Sequence, residues 1–301
     1  MGGLPRGFDR ADTLRVMFAW VEVGGRRPAV MGVVNVTPDS FSDGGRWLDP
    51  GAAVAHGLEL VAAGADLLDV GGESTRPGAD PVDEAEERAR IEPVVARLAA
   101  EAGVPVSIDT TKAAVAAAAL DAGARIVNDV SAGRLDAALL PLVADRAGAV
   151  VLMHMRGEPR TMQGDPRYVD VVREVGDFLV ERADAARDAG VAEHAIAVDP
   201  GIGFGKTTDH NLDLLARLDA LVERVGLPVV VGASRKRFIG RVLAGVGGEP
   251  GEPPAEARDD GTLATVVWAV ECGARVVRVH DVHGARRAVD LLTLLDTVEA
   301  A

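Results

Sequence analysis

The sequence is poor in cysteine and in aromatic residues. Cys272 is the single cysteine among 301 residues, so an internal disulfide and a metal site built from several thiolates are both excluded. Phe, Trp and Tyr make up only 3% of the chain, too few for the stacking platforms that bind single-stranded nucleic acid. Cys272 lies in the apolar, helix-like stretch 263–274, and we interpret it as a buried bystander rather than a nucleophile.

Positive charge and long apolar runs are also scarce. The chain has 32 Lys and Arg against 46 Asp and Glu, a formal net charge of −14, which argues against nucleic acid or an anionic membrane as a partner. No apolar run approaches the ~18 residues of a membrane span. Residues 1–10 lack the apolar core of a signal peptide, so we expect a cytoplasmic protein.

Eight short apolar runs are the most informative feature that is present. Each is rich in Val, Ile and Leu and ends in a polar group, as expected of parallel strands buried on both faces. In a (β/α)8 barrel the carboxyl ends of all strands meet at one rim, where the chemistry takes place. The polar groups that follow the eight runs are Asn35, Glu73, Asp109, Asn128, His154, Asp199, Ser234 and the pair Arg278 and His280.

Amphipathic segments followed by glycine alternate with these runs, which predicts successive βα units. We therefore expect a single α/β domain, a (β/α)8 TIM barrel over residues 29–301. It is preceded by an N-terminal extension, residues 1–28, in which a predicted β-hairpin covers the lower end of the barrel. A doubly wound open sheet is the rival fold, but polar tips on all eight runs favour the barrel. The predicted helices are 51–63, 83–102, 112–122, 136–147, 168–189 and 208–225.

Two aspartates, Asp109 and Asp199, directly follow apolar residues at the ends of predicted strands three and six. Carboxylates beside a barrel interior are costly unless something donates hydrogen bonds to them. A ligand edge with several N–H donors, such as a cyclic guanidine or an aminopyrimidinone, would suit the pair. Two structural helix caps are the alternative. A glycosidase pair is less favoured because sugar-binding aromatic residues are lacking nearby.

Cationic groups follow strands seven and eight. Arg278 and His280 share one strand face by period-two alternation and together suit a phosphate or diphosphate. An Arg–Asp bridge to Asp281 or Asp259 is the alternative for Arg278. Ser234 and Lys236 precede a helix whose free N–H groups favour an anion. Lys236 could form a Schiff base, although a charged lysine that hydrogen-bonds a ligand is the simpler role.

Two further features have competing interpretations. Residues 199–207, DPGIGFGKT, resemble a Walker A phosphate loop, but Pro200 stands where that motif requires glycine, so a P-loop NTPase is disfavoured. His154 ends strand five, and we interpret it as a packing residue rather than a proton carrier. The loops 37–45 and 72–78 mix Gly and Pro with polar residues, as ligand clamps at the top of a barrel do.

Eight segments of the chain contain the polar groups described above. They are MGVVNVTPDSFSDGG (31–45), DLLDVGGESTRPGA (66–79), VSIDTTK (106–112), IVNDVSAG (126–133), LMHMRGEPRTMQ (152–163), DPGIGFGKT (199–207), VGASRKRFIG (231–240) and RVHDV (278–282). In this order they closely resemble the motifs of the dihydropteroate synthase family. This resemblance, which covers about residue 29 to the C-terminus, implies a barrel that joins 6-hydroxymethyl-7,8-dihydropterin diphosphate to p-aminobenzoate and releases pyrophosphate with Mg²⁺, a step of folate synthesis. It also implies a homodimer and a sulfonamide target.

The resemblance also implies roles for individual residues, and these agree with the chemistry above. Lys236, Arg278 and His280 are expected to be catalytic as well as substrate-binding. Asn35 is expected to hold the Mg²⁺ ion. Pterin recognition falls to Asp109, Asn128, Met153, Asp199, Phe204 and Lys236, the diphosphate to Asn35, Thr75, Arg278 and His280, and the p-aminobenzoate side to Phe41, Arg76, Pro77 and Ser234.

A catalytically silent pterin-binding paralogue is the alternative function, because some barrels of this kind lose motif residues and activity. Here the GESTRPG loop and Ser234-Arg235-Lys236 are intact, which favours the synthase. Arg237 stands where some members have a serine near the p-aminobenzoate carboxylate, so a backbone N–H contact is expected there instead.

Overall fold

Eight parallel strands form the inner layer of the molecule. The computed structural model describes residues 18–20, 22–25, 27–37, 49–74, 79–158, 160–247 and 251–299. Nearly every strand residue is buried, which explains why the strands read as continuous apolar runs. The strands are β1 (Ala29–Asn35), β2 (Leu67–Gly71), β3 (Val106–Asp109), β4 (Ile126–Asp129), β5 (Ala149–Met153), β6 (Ile196–Asp199), β7 (Val230–Val231) and β8 (Val276–Val279).

The outer layer consists of α-helices that pack on the strands. Several begin at an aspartate, such as Asp49, Asp83 and Asp170, whose side chain accepts a hydrogen bond from the first helical turn. Within the described residues no helix is long and apolar enough to cross a membrane. The helices are α1 (Pro50–Ala62), α2 (Glu84–Glu101), α3 (Ala113–Asp121), α4 (Leu139–Asp145), α5 (Val171–Asp188), α6 (Thr208–Ala216), α7 (Leu218–Val225), α8 (Arg237–Gly247), α9 (Asp259–Glu271) and α10 (Val282–Glu299).

The strands close into a barrel, as predicted, and do not form an open sheet. Their order is β6-β5-β4-β3-β2-β1-β8-β7. The ring closes between β6 and β7 through a parallel bridge from Val198 to Val229, and the Val198 N–H donates to the Pro228 carbonyl at 3.0 Å. All strands are parallel, so their carboxyl ends lie at one rim.

The prediction of one helix over 208–225 is wrong at its middle. Arg217 leaves the helical conformation, with φ −118° and ψ 30°, and separates α6 from α7. Its guanidinium contacts Asp213 and Asp170. Leu214 and Leu218 lie on either side of this break, and each is fully buried.

The N-terminal extension is described only in part. Residues 18–20 and 22–25 form turns and belong to no strand, and the rest of the predicted hairpin lies outside the described residues. Trp20 is fully buried, and its indole N–H donates to the Ala195 carbonyl at 3.0 Å, just before β6 begins. Arg275, just before β8, donates to the carbonyls of Val23 and Gly25. These contacts place the described part of the extension at the lower end of the barrel.

Candidate active site

A polar pocket opens at the carboxyl-terminal rim of the barrel. It has a volume of about 300 Å³. All six residues predicted to recognise a pterin line it, together with Arg278, although they come from five separate strand ends and loops. Val130 and Gly232 complete the lining and were not predicted. The lining residues are Asp109, Asn128, Val130, Met153, Asp199, Phe204, Gly232, Lys236 and Arg278.

Arg278 connects two carboxylates at the floor of this pocket. Its Nε donates to Asp69 Oδ2 at 2.6 Å, and its Nη2 donates to Asp109 Oδ2 at 3.0 Å. Asn128 Nδ2 donates to the same Asp69 oxygen at 3.0 Å. The alternative bridge from Arg278 to Asp281 or Asp259 is not the one formed, since Asp259 instead pairs with Arg235.

Asp69 is a functional candidate that the sequence analysis missed. It lies inside β2, two residues before the strand end, and is fully buried. An aspartate inside the apolar sequence Leu-Leu-Asp-Val predicts a buried carboxylate. Such a group requires hydrogen-bond donors, so a functional or structural role could have been expected for Asp69. Here the donors are Arg278 and Asn128, so Asp69 holds two pocket residues in place.

Lys236 lies on the opposite side of the pocket. Its amino group donates to the Ile202 carbonyl and lies 4.3 Å from the centre of the Phe204 ring. Asp199, at the end of β6, accepts a hydrogen bond from the Gly201 N–H at 2.6 Å through one carboxylate oxygen. The other oxygen faces Gly232, where an added Cβ would lie 3.7 Å from it.

Burial shifts the pKa values of three charged groups of the pocket, Asp109, Asp199 and Lys236, toward their neutral forms. Desolvation raises the pKa of Asp109 to about 7, although the charge of Arg278 opposes the shift. Burial also raises the pKa of Asp199, against the nearby charge of Lys236. It lowers the pKa of Lys236 to about 8. The pocket therefore holds groups that titrate close to neutral pH, a feature concentrated at functional sites.

Ser234 and His280 form a second cluster at the rim. Ser234 Oγ lies 2.9 Å from His280 Nδ1 and accepts a hydrogen bond from the His280 backbone N–H at 3.2 Å. Arg235, with φ +59°, directs its guanidinium to Asp259 and not into the pocket. Four predicted site residues, Phe41, Thr75, Arg76 and Pro77, lie outside the described residues.

Asn35 ends β1 at the same rim, and its environment bears on the expected metal ion. Among the described residues, no group of three or more His, Cys, Asp or Glu side chains could hold a metal on its own. Mg²⁺ bound to a substrate diphosphate usually keeps several waters and needs only one or two protein ligands. The amide oxygen of Asn35 is a suitable donor of this kind.

The P-loop interpretation of residues 199–207 is inconsistent with the position of Lys206. A Walker A lysine reaches out to the phosphates, whereas Lys206 is buried and its amino group contacts the Gly201 and Phe204 carbonyls. His154 is also buried, and its Nδ1 lies 2.9 Å from Lys206 Nζ. Burial lowers the pKa of His154 to about 2, which agrees with a packing role and not with proton transfer.

Comparisons with known proteins agree with this geometry. The family model for pterin binding enzymes matches residues 31–280. Dihydropteroate synthase of Mycobacterium leprae is 53% identical over 88% of this chain and 92% of its own length. The structure of Xanthomonas albilineans dihydropteroate synthase with 4-aminobenzoic acid superposes with a TM-score of 0.81 at 50% identity, covering 92% of this chain and 94% of that one. The same enzyme with 7,8-dihydropteroate gives a TM-score of 0.78 at 45% identity, covering 93% and 98%.

The chain therefore belongs to the pterin binding enzyme family. Since the relatives at this level of identity are named for one activity, the protein is an enzyme of the dihydropteroate synthase type.

Proposed function

We propose that the protein condenses 6-hydroxymethyl-7,8-dihydropterin diphosphate with p-aminobenzoate, yielding 7,8-dihydropteroate and pyrophosphate for folate biosynthesis. The observation that carries this proposal is the pocket itself, in which Asp109, Asn128, Asp199 and Lys236 face one cavity. Pterin offers several N–H donors and a ring carbonyl, which match two carboxylates, an amide and a cation. The complexes of the Xanthomonas albilineans relative with 4-aminobenzoic acid and 7,8-dihydropteroate support the same substrate and product here.

The carboxylates supply the acceptors for pterin. Asp109 Oδ1 is buried and accepts no hydrogen bond from the described residues, while Asp109 Oδ2 accepts from Arg278. A buried acceptor without a donor is unfavourable, so Oδ1 is suited to an N–H of the ligand. Asp199 contributes its oxygen that faces Gly232, and its other oxygen is oriented by the Gly201 N–H. Met153 and Phe204 provide the apolar walls.

The cationic residues at the rim suit the leaving diphosphate. Arg278 and His280, with Asn35 and Thr75, are proposed to bind it, and Arg278 neutralises charge as the bond from the pterin methylene carbon to oxygen breaks. The arylamine nitrogen forms the new bond to that carbon and loses one proton. Asn35 would hold Mg²⁺, which supplies further neutralisation of the diphosphate when bound. No dedicated general base is needed, because an arylamine attacks in its neutral form.

The p-aminobenzoate molecule is proposed to lie beside Ser234, with Phe41, Arg76 and Pro77 from the two rim loops. Sulfonamides that mimic p-aminobenzoate would then compete for this position. The Ser234 hydroxyl is already oriented by His280, so the two binding regions adjoin each other.

We further propose that the enzyme is a cytoplasmic homodimer. Four side chains on α10 are exposed and apolar, and their spacing of three and four residues places them on one helical face. Helix α9, which packs against α10, also carries exposed apolar side chains, Leu263 and Trp268. The α10 side chains are Leu291, Leu294, Leu295 and Val298, which are 59%, 64%, 54% and 74% exposed.

A turnover assay tests the proposed activity directly. The purified protein is supplied with the pterin diphosphate, p-aminobenzoate and Mg²⁺, and 7,8-dihydropteroate and pyrophosphate are quantified. We expect equal amounts of the two products. Pterin binding without turnover would instead identify the silent paralogue, and the absence of both would refute the proposed function.

Asp199→Asn tests the role of Asp199 in pterin binding. It replaces an ionised acceptor with an amide that presents donors to the donors of the ligand. Pterin binding should weaken by about 2 to 4 kcal/mol, since a charge-assisted hydrogen bond is lost. Calorimetric titration with 6-hydroxymethylpterin measures this, and unchanged affinity would contradict the role of Asp199.

A further inference from the structure

Lys206 is a buried lysine that the proposed reaction does not use. Its side chain is only 3% exposed, and its amino group lies 2.9 Å from the Gly201 carbonyl, 3.0 Å from the Phe204 carbonyl and 2.9 Å from His154 Nδ1. No carboxylate is within salt-bridge distance of Lys206 among the described residues. A fourth, longer contact of 3.4 Å joins it to the His154 carbonyl. The three closer partners are two backbone carbonyls of one short turn and the ring nitrogen of His154, the residue that follows β5.

The three contacts are satisfied whether or not Lys206 carries a charge. As an ammonium it donates to all three acceptors, and His154 then has its proton on Nε2. As a neutral amine it donates to the two carbonyls and accepts from His154 Nδ1–H. Burial lowers the pKa of Lys206 well below its usual range, yet the geometry suits either form.

The turn that surrounds Lys206, residues 201–206, contributes Phe204 to the lining of the pterin pocket and also contacts Lys236. The Ile202 carbonyl and the Phe204 ring are the two groups that contact the Lys236 amino group. The turn is tightly wound, because a Cβ on Gly201 would lie 1.9 Å from the His154 carbonyl oxygen. Gly203 also passes close to Lys236, where an added Cβ would lie 2.8 Å from Cδ.

We propose that Lys206 is a positioning residue for pterin binding: it fixes the 201–206 turn from within, so that Ile202 and Phe204 hold Lys236 at the pocket. This inference rests on the proposed function, since it assigns Lys236 to the pterin. It accounts for the lysine of the GFGKT sequence, which resembles a phosphate-loop lysine but points into the protein. Without the amino group, two carbonyls and a ring nitrogen are left buried without their partner, and the turn relaxes.

Two substitutions at Lys206 separate its hydrogen bonds from its volume. Lys206→Met keeps the length of the side chain and removes every donor, whereas Lys206→Gln keeps an amide that can donate to part of the same set. We expect the affinity for 6-hydroxymethylpterin to fall at least ~10-fold in the methionine variant and less in the glutamine variant, since the orphaned acceptors drive the change. Pyrophosphate, measured by calorimetry on the same variants, should bind within about twofold of wild type.

Tyr168→Phe is the matched control on the outer side of the same turn. It removes the hydroxyl that donates to the Gly205 carbonyl at 2.9 Å and that also interacts with Arg156, and it leaves Lys206 in place. Its effect on pterin affinity should stay below about threefold. Equal losses in Tyr168→Phe and Lys206→Met would mean that any weakening of the turn suffices, and would overturn the role proposed for Lys206.

A double-mutant cycle with Lys236→Met tests the route through which Lys206 acts. If Lys206 acts by placing Lys236, adding Lys206→Met to Lys236→Met should cost less than about threefold in pterin affinity. A full, independent loss in the double variant would refute this route, as would unchanged affinity in Lys206→Met alone. If wild-type protein itself fails to bind 6-hydroxymethylpterin, the proposed function fails instead, so the two failures are distinguishable.

Discussion

Asp109 and Lys236 are the two residues whose pKa values, about 7 and about 8, bracket the pH range in which the pocket has its binding form. Pterin N–H donors require an ionised Asp109, so affinity should fall as pH drops below 7 and the carboxyl gains a proton. The pterin carbonyl favours a charged Lys236, so affinity should also fall as pH rises above 8. Titrations of 6-hydroxymethylpterin from pH 5.5 to 9.5 should therefore give a maximum between these values.

Single variants show which residue causes the loss of pterin affinity at low pH, the acidic limb, and which causes the loss at high pH, the alkaline limb. Asp109→Asn should remove only the acidic limb, and Lys236→Met only the alkaline one. Ionisation of the ligand itself is common to all proteins and cancels in the ratio of variant to wild-type affinity. A profile that both variants leave unchanged would exclude these residues as its source.

Arg278 has a second effect beyond the diphosphate, because it neutralises both Asp69 and Asp109. Arg278→Ala should abolish most pyrophosphate binding. It should also raise the pKa of Asp109 further, since the opposing cation is gone, and so move the acidic limb of pterin binding to higher pH. The affinities of Arg278→Ala for pyrophosphate and for 6-hydroxymethylpterin are measured from pH 6 to 9. An acidic limb of pterin binding at the same pH as in wild type would show that Arg278 does not set the pKa of Asp109.

The site residues that could be predicted from the sequence lie at strand ends, whereas the one that was missed lies inside a strand. Asp109 and Asp199 are strand tips, where a polar residue after an apolar run is conspicuous. Asp69 lies inside β2, and its partner Arg278 is 209 positions away in the sequence. Only the register of the closed barrel shows that β2 and β8 bring these two side chains together. The burial of Lys206 could not be predicted for a similar reason. No local sequence pattern shows whether its side chain points into the protein or toward the pocket.

At the scale of elements, glycine placement predicted most helix ends to within a few residues. Helix α2 runs from Glu84 to Glu101, against a predicted 83–102, and α5 ends at Asp188, just before Gly190. The break between α6 and α7 could not be predicted, because Arg217 is neither glycine nor proline and the apolar period continues across it. The Arg217 guanidinium contacts Asp170, 47 positions away at the start of α5, and the local sequence does not show such a tertiary contact.

Lys112 joins two successive βα units through one amino group, because it follows β3 while its three partners belong to the β2–α2 unit. It lies 2.6 Å from Glu73 Oε2, 2.5 Å from Glu87 Oε2 and 2.9 Å from the Val82 carbonyl. Glu87 is fully buried, so Lys112→Met would leave its carboxylate without its cation. We expect unfolding free energy to fall by about 3 kcal/mol in urea denaturation.

Two comparisons test this explanation. Glu87→Gln added to Lys112→Met should recover part of the lost stability, because the unpaired buried charge is removed. Arg88→Met, which breaks the exposed pair of Arg88 with Glu92, should cost less than about 1 kcal/mol. If the Lys112 and Arg88 variants are equally stable, the Lys112 cluster contributes nothing beyond a surface ion pair.

At the scale of the whole molecule, the apolar face of α10 stands out against a net charge of −14. Leu294→Glu places a charge in the middle of this face, and we expect it to convert the proposed dimer into a monomer in sedimentation experiments. Leu212→Glu on α6, at a side chain 41% exposed, is the matched control and should leave the dimer intact. A dimer that survives Leu294→Glu would place the interface elsewhere.

The ring of strands is weakest between β6 and β7, where one bridge, from Val198 to Val229, closes it. By comparison, β1 and β2 pair over five residues. The pocket lies above this seam, since Asp199 ends β6 while Gly232 and Lys236 follow β7. A pterin held by both Asp199 and Lys236 therefore bridges the ends of β6 and β7, where few backbone hydrogen bonds join the two strands. Local opening of the ligand-free barrel would therefore occur mainly between β6 and β7. A bound substrate would stabilise the closed barrel that forms its own binding site.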